Sequence, residues 1–87
     1  MKEEEILGHL VERIGSKLKE LRKKKGYKSY ENFAFDHDLP RMQYWRIETG
    51  RTSVTLKTLV RILTIHDLTV EEFFHGLYLE SRRRKNR

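Results

Sequence analysis

No cysteine occurs in this sequence, and that absence removes several functions at once. There is no disulfide framework, no thiol nucleophile and none of the common zinc-finger or zinc-ribbon sites, a composition that fits a reducing compartment. No apolar run approaches the roughly 18 to 20 residues of a membrane helix, and the start, MKEEEILGHLVERIG, is acidic where a signal peptide is basic. These features lead to the expectation of a soluble, cytoplasmic protein. Internal repeats are absent, and no segment alternates apolar and polar residues as a half-buried strand does. With 87 residues the chain falls short of the usual allotment of about 100 to 200 per domain, which excludes a second independent core. Hydrophobic and charged residues each make up 37%, enough to close one small core under a polar surface.

Charge is present in excess of one sign. Nineteen Lys and Arg against thirteen Asp and Glu leave +6, which points to a polyanionic partner without naming it. Its distribution is uneven. The tail Ser81 to Arg87 (SRRRKNR) carries five positive charges, leaving +1 for residues 1–80. A second cluster, Lys17 to Lys28, sets seven basic residues against Glu20 alone. Each cluster reads either as a solvated end or as a nucleic-acid contact.

The apolar residues Ile6, Leu7, Leu10, Val11, Ile14, Leu18 and Leu21 recur at three- and four-residue steps, which predicts a helix from Ile6 to about Lys25. Gly8 and Gly15 each disfavour a helix interior by about 1 kcal/mol against alanine, so a bend or restart is expected near Gly15. Gly26 supplies the stop. Ser29 is placed to cap a second helix through Glu31, Phe33, Ala34 and His37. Pro40 pushes Leu39 out of helical geometry and opens a third helix, Arg41 to Thr49, closed by Gly50. After the loop Arg51 to Val54, Thr55 caps a fourth helix whose apolar stripe is Leu56, Leu59, Val60 and Leu63. Thr69-Val70-Glu71-Glu72 is a capping box opening a fifth, which buries Val70, Phe73, Phe74 and Leu77.

Two short helices joined by about three residues form a helix-turn-helix unit. At 100° per residue Tyr44 and Ile47 define the inward side of the third helix, while Met42, Trp45, Arg46 and Thr49 point the other way. A purely structural helix would carry Lys and Glu there. Here Arg41 and Arg46 stand beside Met42 and Trp45, and this mixture suits the major groove: arginine bonds guanine O6 and N7 bidentately, and apolar groups touch the thymine methyl. The competing reading packs Trp45 on a neighbouring helix and has Met42 fill a gap.

The segments IGSKLKELRKKKG (Ile14 to Gly26), SYENFA (Ser29 to Ala34), LPRMQYWRIETG (Leu39 to Gly50), TLKTLVRI (Thr55 to Ile62) and LTVEEFF (Leu68 to Phe74) together resemble the phage-repressor and Cro-like helix-turn-helix regulators, the xenobiotic-response-element type. Each motif is weak, while their order and spacing are specific. The resemblance implies an all-α, compact five-helix, lambda-repressor-like DNA-binding domain over residues 1–80. That span includes an N-terminal helical extension (1–13), and the basic tail (81–87) follows it. It further implies a homodimer on a two-fold site, base reading by Arg41, Met42 and Arg46 with Trp45 beside them, and backbone contacts from Ser29, Tyr30, Gln43, Thr49, Arg51, Thr52 and Ser53. Tyr30 stands where the family commonly has a phosphate-holding glutamine. A structural ion pair of Arg22 with Glu48 is also implied. Asp38 and Asp67 replace the family's glycines after helices 2 and 4, and Pro40 replaces its usual cap of helix 3.

An enzyme would need converging catalytic groups in a pocket, for which a small helical chain has little room. The histidines His9, His37, His66 and His75 lack metal-site spacing beyond one turn of Glu71 or Glu72 with His75, so neither metal nor cofactor is expected. The tail lacks the adjacent apolar anchor that stable membrane attachment needs. Sequence-specific binding of double-stranded DNA, with repression of transcription, is the expected function. A rival of another class is a protein-interaction module such as an antitoxin that binds a toxin, with DNA binding secondary; RNA polymerase is a further conceivable partner. Phe74, Tyr78 and Leu79, or the turns before Ile14, would supply such a surface.

Overall fold

The computed structural model describes residues 2–85. Five helices and no strand form among them: α1 (Glu3–Lys24), α2 (Tyr30–Asp36), α3 (Arg41–Glu48), α4 (Leu56–Ile65) and α5 (Val70–Lys85). The chain divides into a first unit ending at Val54 and a second beginning at Thr55.

In the first unit α1, α2 and α3 all touch one another. α1 starts with Glu3, Glu4 and Glu5 and ends with Arg22, Lys23 and Lys24, charges that oppose the helix dipole at both ends. It is one uninterrupted helix, so the expected bend at Gly15 does not occur. The reason lies in packing rather than propensity. A Cβ at Gly15 would lie 2.6 Å from the Glu48 carbonyl oxygen and closer still to that of Ile47, so the missing side chain is what lets α1 approach the end of α3. Ile14 and Leu18 are the buried apolar side chains of α1, whereas Ile6, Leu7 and Leu10 stay exposed; the apolar stripe runs on past the layer it helps to cover. Phe33 centres the unit's aromatic core, with Tyr44 at 5.2 Å and Tyr27 edge-on at 5.2 Å.

The same device ends α1 to α4. The residue after each C-cap has positive φ: Gly26 (101°), Asp38 (57°), Gly50 (71°) and Asp67 (56°). In each case the following amide reaches back five residues, as from Tyr27 to Arg22 and from Leu39 to Ala34, closing a Schellman motif. Aspartate occupies two of these left-handed positions because its short polar side chain tolerates them better than most.

In the second unit Thr55 accepts the Thr58 amide at 3.1 Å and starts α4. The buried stripe of α4 is Leu59, Ile62 and Leu63. Leu56 and Val60, expected in that stripe, are exposed. Ile62 rotates the stripe away from Val60, and Leu56 lies in the first turn, before the helix reaches its buried layer. α5 opens on the reciprocal bonds of Thr69 and Glu72, at 2.8 and 3.0 Å, and buries Phe73 and Leu77. It continues through Lys85, so residues 81–85 of the basic tail are helical, while Asn86 and Arg87 lie outside the described residues.

Candidate nucleic-acid interface

Every residue assigned to base reading or backbone contact lies in the first unit, between Ser29 and Ser53. α3 is anchored by Tyr44, Ile47 and Glu48, all buried. The anchor is unusual because one of its three members is charged. Glu48 receives a bidentate pair of bonds from Arg22, from Nε at 2.7 Å and from Nη2 at 3.1 Å, and Arg22 Nη1 donates to the Tyr27 carbonyl at 2.8 Å. Both ends of this α1 to α3 clamp are buried, and the hydrogen bond with Glu48 raises the arginine pKa above its ordinary value. Burial, reinforced by the Glu48 carboxylate, pushes the Tyr44 phenol up as well.

With that side fixed, Met42 and Arg46 are exposed on the opposite side of α3, and Arg41 in the first turn and Gln43 on the flank are exposed as well. Trp45 is half-buried, between the two readings its position allowed. The guanidinium of Arg51 lies over its ring, 4.9 Å from the centroid, a cation–π contact that holds the loop cation against the helix. Arg41 is itself paired, its Nη1 lying 3.8 Å from Glu31 of α2.

The hydroxyl-bearing residues differ in what they have left to offer. Ser29 Oγ accepts the amides of Glu31 and Asn32 at 3.1 and 3.3 Å, which leaves its proton for an acceptor outside the helix. Thr49 Oγ1 donates to the Trp45 carbonyl at 2.7 Å, so a bond to phosphate requires it to leave that carbonyl. Tyr30 and Thr52 are half-buried and Ser53 is exposed. Two features went unremarked in the sequence. Glu31 pairs with Arg41 across two helices, a contact no spacing rule announces. Phe35 is 86% exposed on α2, beside the core residues Phe33 and Ala34, and only its phase in the helix distinguishes it from them.

Among the described residues no group of three or more His, Cys, Asp or Glu side chains is placed to hold a metal ion, and no helix is long and apolar enough to cross a membrane. The arrangement offers cations, amide and hydroxyl donors and apolar contact on one rigid short helix, which is the chemistry of a duplex-reading surface.

Comparison with known proteins gives the chain a family. Control protein C.MunI of a Mycoplasma species is 41% identical over 68 residues, covering 78% of this chain and 92% of that protein. The chain belongs to the Cro/C1-type helix-turn-helix regulators. Plasmid copy control protein CopR of Streptococcus agalactiae is 38% identical over 50 residues, covering 58% of this chain and 54% of CopR. No family model and no solved structure matches the chain. As a Cro/C1-type regulator the chain is a DNA-binding protein of transcription control, and its relatives carry the names of regulators rather than of enzymes. Within this family the α2 to α3 unit described above is the helix-turn-helix.

Proposed function

We propose that this Cro/C1-type regulator binds a two-fold operator as a homodimer in the cytoplasm and represses transcription by occluding polymerase. α3 enters the major groove. Arg41 and Arg46 bond guanine edges, Met42 meets a thymine methyl, and Trp45 backs them while holding Arg51. Ser29, Tyr30, Gln43, Thr49, Arg51, Thr52 and Ser53 fix the protein on the sugar–phosphate backbone, where contacts set register without reading sequence. The observation that carries this reading is the division of α3 into two sides. Tyr44, Ile47 and the Arg22–Glu48 clamp hold one, and Met42 and Arg46 stand exposed on the other, with Arg41 and Gln43 exposed at its flanks.

The test is selection of duplexes from a random library by the purified protein. An enriched inverted repeat with half-sites about one helical turn apart is expected. On the enriched site Arg46→Ala should cost about 1 to 3 kcal/mol and relax preference at one base pair. An equal loss on random duplex would refute base reading by Arg46, and failure to retain any duplex would refute the DNA-binding role.

A further inference from the structure

Two exposed stripes lie outside the Ile14 to Phe74 segments that carry the family resemblance, one near each end of the chain. On α1 the stripe that is buried from Ile14 onward continues toward the N-terminus through Leu10, Leu7 and Ile6 to Glu3. Its apolar members are open: Ile6 is 51% and Leu7 52% exposed. Glu4 and Glu5 extend the acidic end. On α5 the positions His75, Tyr78, Leu79 and Arg82 follow a helical i, i+3, i+4, i+7 pattern on the side away from Phe73 and Leu77. Here too the apolar members are open, Tyr78 at 55% and Leu79 at 46%, with the Tyr78 ring stacked on His75. The sequence then turns basic, with Arg82, Arg83, Arg84 and Lys85.

The two stripes are complementary when set antiparallel. Seven residues separate Glu3 from Leu10 and seven separate His75 from Arg82, about 10 Å along either helix. In that register Glu3 meets Arg82 and Arg83, Leu7 meets Tyr78 and Leu79, and Leu10 meets His75. Ile6 and Leu7 face Tyr78 and Leu79, Leu10 lies against the His75 ring, and the acidic end of one helix faces the basic end of the other. Reversing either helix sets carboxylates against the aromatic part of α5 and leaves the arginines over leucines.

We propose that these stripes bind each other between two copies of the chain, the N-terminal turns of α1 in one copy lying antiparallel on the C-terminal half of α5 in its partner. In a two-fold dimer the contact occurs twice. This interface rests on the homodimer reading above and specifies what holds the dimer together.

The experiment is charge exchange followed by sedimentation at low salt. One full-length variant carries Glu3→Lys, Glu4→Lys and Glu5→Lys; the other carries Arg82→Glu, Arg83→Glu and Arg84→Glu. Each alone should self-associate at least about tenfold more weakly than the parent, since both contacts become repulsive, and the difference should shrink as salt is added. Mixing the two should restore association, because in the mixed dimer both contacts are again opposite in sign. A single chain carrying all six substitutions should recover as well. All substituted positions precede or follow the buried layers, and circular dichroism verifies that the variants fold.

If the parent dimerises and neither variant weakens it, this interface is wrong while the homodimer reading stands. If the six-substitution chain recovers but the mixture does not, the stripes do not pair between copies and the proposal is overturned. A parent that stays monomeric at every concentration removes both the proposal and the homodimer reading.

Discussion

Alanine substitution of two glycines in the same helix should have opposite effects. Gly8 and Gly15 both lie inside α1, and by helix propensity alone either change gains up to about 1 kcal/mol. At Gly8 nothing lies within 4 Å of the added Cβ, so the gain is realised and the melting temperature should rise by up to about 4 to 8 °C. At Gly15 the Cβ would stand 2.6 Å from the Glu48 oxygen, with the Ile47 oxygen nearer. That is about 0.8 Å or more inside ordinary contact, and the atoms it strikes are backbone carbonyls that no rotamer change can move. α1 must back away from α3. Overpacking of this kind costs about 1 to 3 kcal/mol, with sharper values where backbone is struck, so after the propensity gain a net loss of about 1 to 2 kcal/mol is expected. Thermal unfolding followed by far-ultraviolet circular dichroism should therefore show Gly15→Ala melting below the parent and Gly8→Ala above it. If Gly15→Ala melts at or above the parent, close approach is not what keeps Gly15 free of a side chain.

Removing one member of the buried clamp by Glu48→Ala should cost about 3 to 5 kcal/mol in urea unfolding, while the joint change Arg22→Met with Glu48→Leu costs far less; equal losses would refute an uncompensated buried charge as the cause. Tyr44 has its phenol pKa raised, so the native state keeps a proton that the unfolded chain gives up near pH about 10. The fold is thus favoured fully below that pH and loses stability as pH rises through it. Tyrosine absorbance titration should show one phenol ionising only as helix is lost, and Tyr44→Phe should reduce the alkaline decline. At Asp67, where φ is 56°, Asp67→Gly should stabilise by about 0.5 to 1 kcal/mol and Asp67→Val destabilise; the same sign for both would contradict the left-handed strain.

What the sequence determined by itself was local. Ser29, Thr55 and the Thr69–Glu72 box announce helix starts because a cap needs one particular side chain within three residues of the amides it serves. Gly26 and Gly50, and the aspartates in the family's glycine positions, announce helix ends for the same short-range reason. The inward side of α3 was legible too, because Tyr44 and Ile47 follow helical phase. Tertiary structure decided the rest. Periodicity shows which way an apolar stripe faces but not how far its cover extends, so Leu56, Val60 and the early leucines of α1 read as core and are exposed. Propensity marked Gly15 as a weak point in α1, whereas the approach of α3, more than thirty residues away in sequence, makes it a point of contact. The pairing of Arg41 with Glu31 and the seat of Arg51 over Trp45 likewise depend on through-space distances that spacing along the chain does not encode.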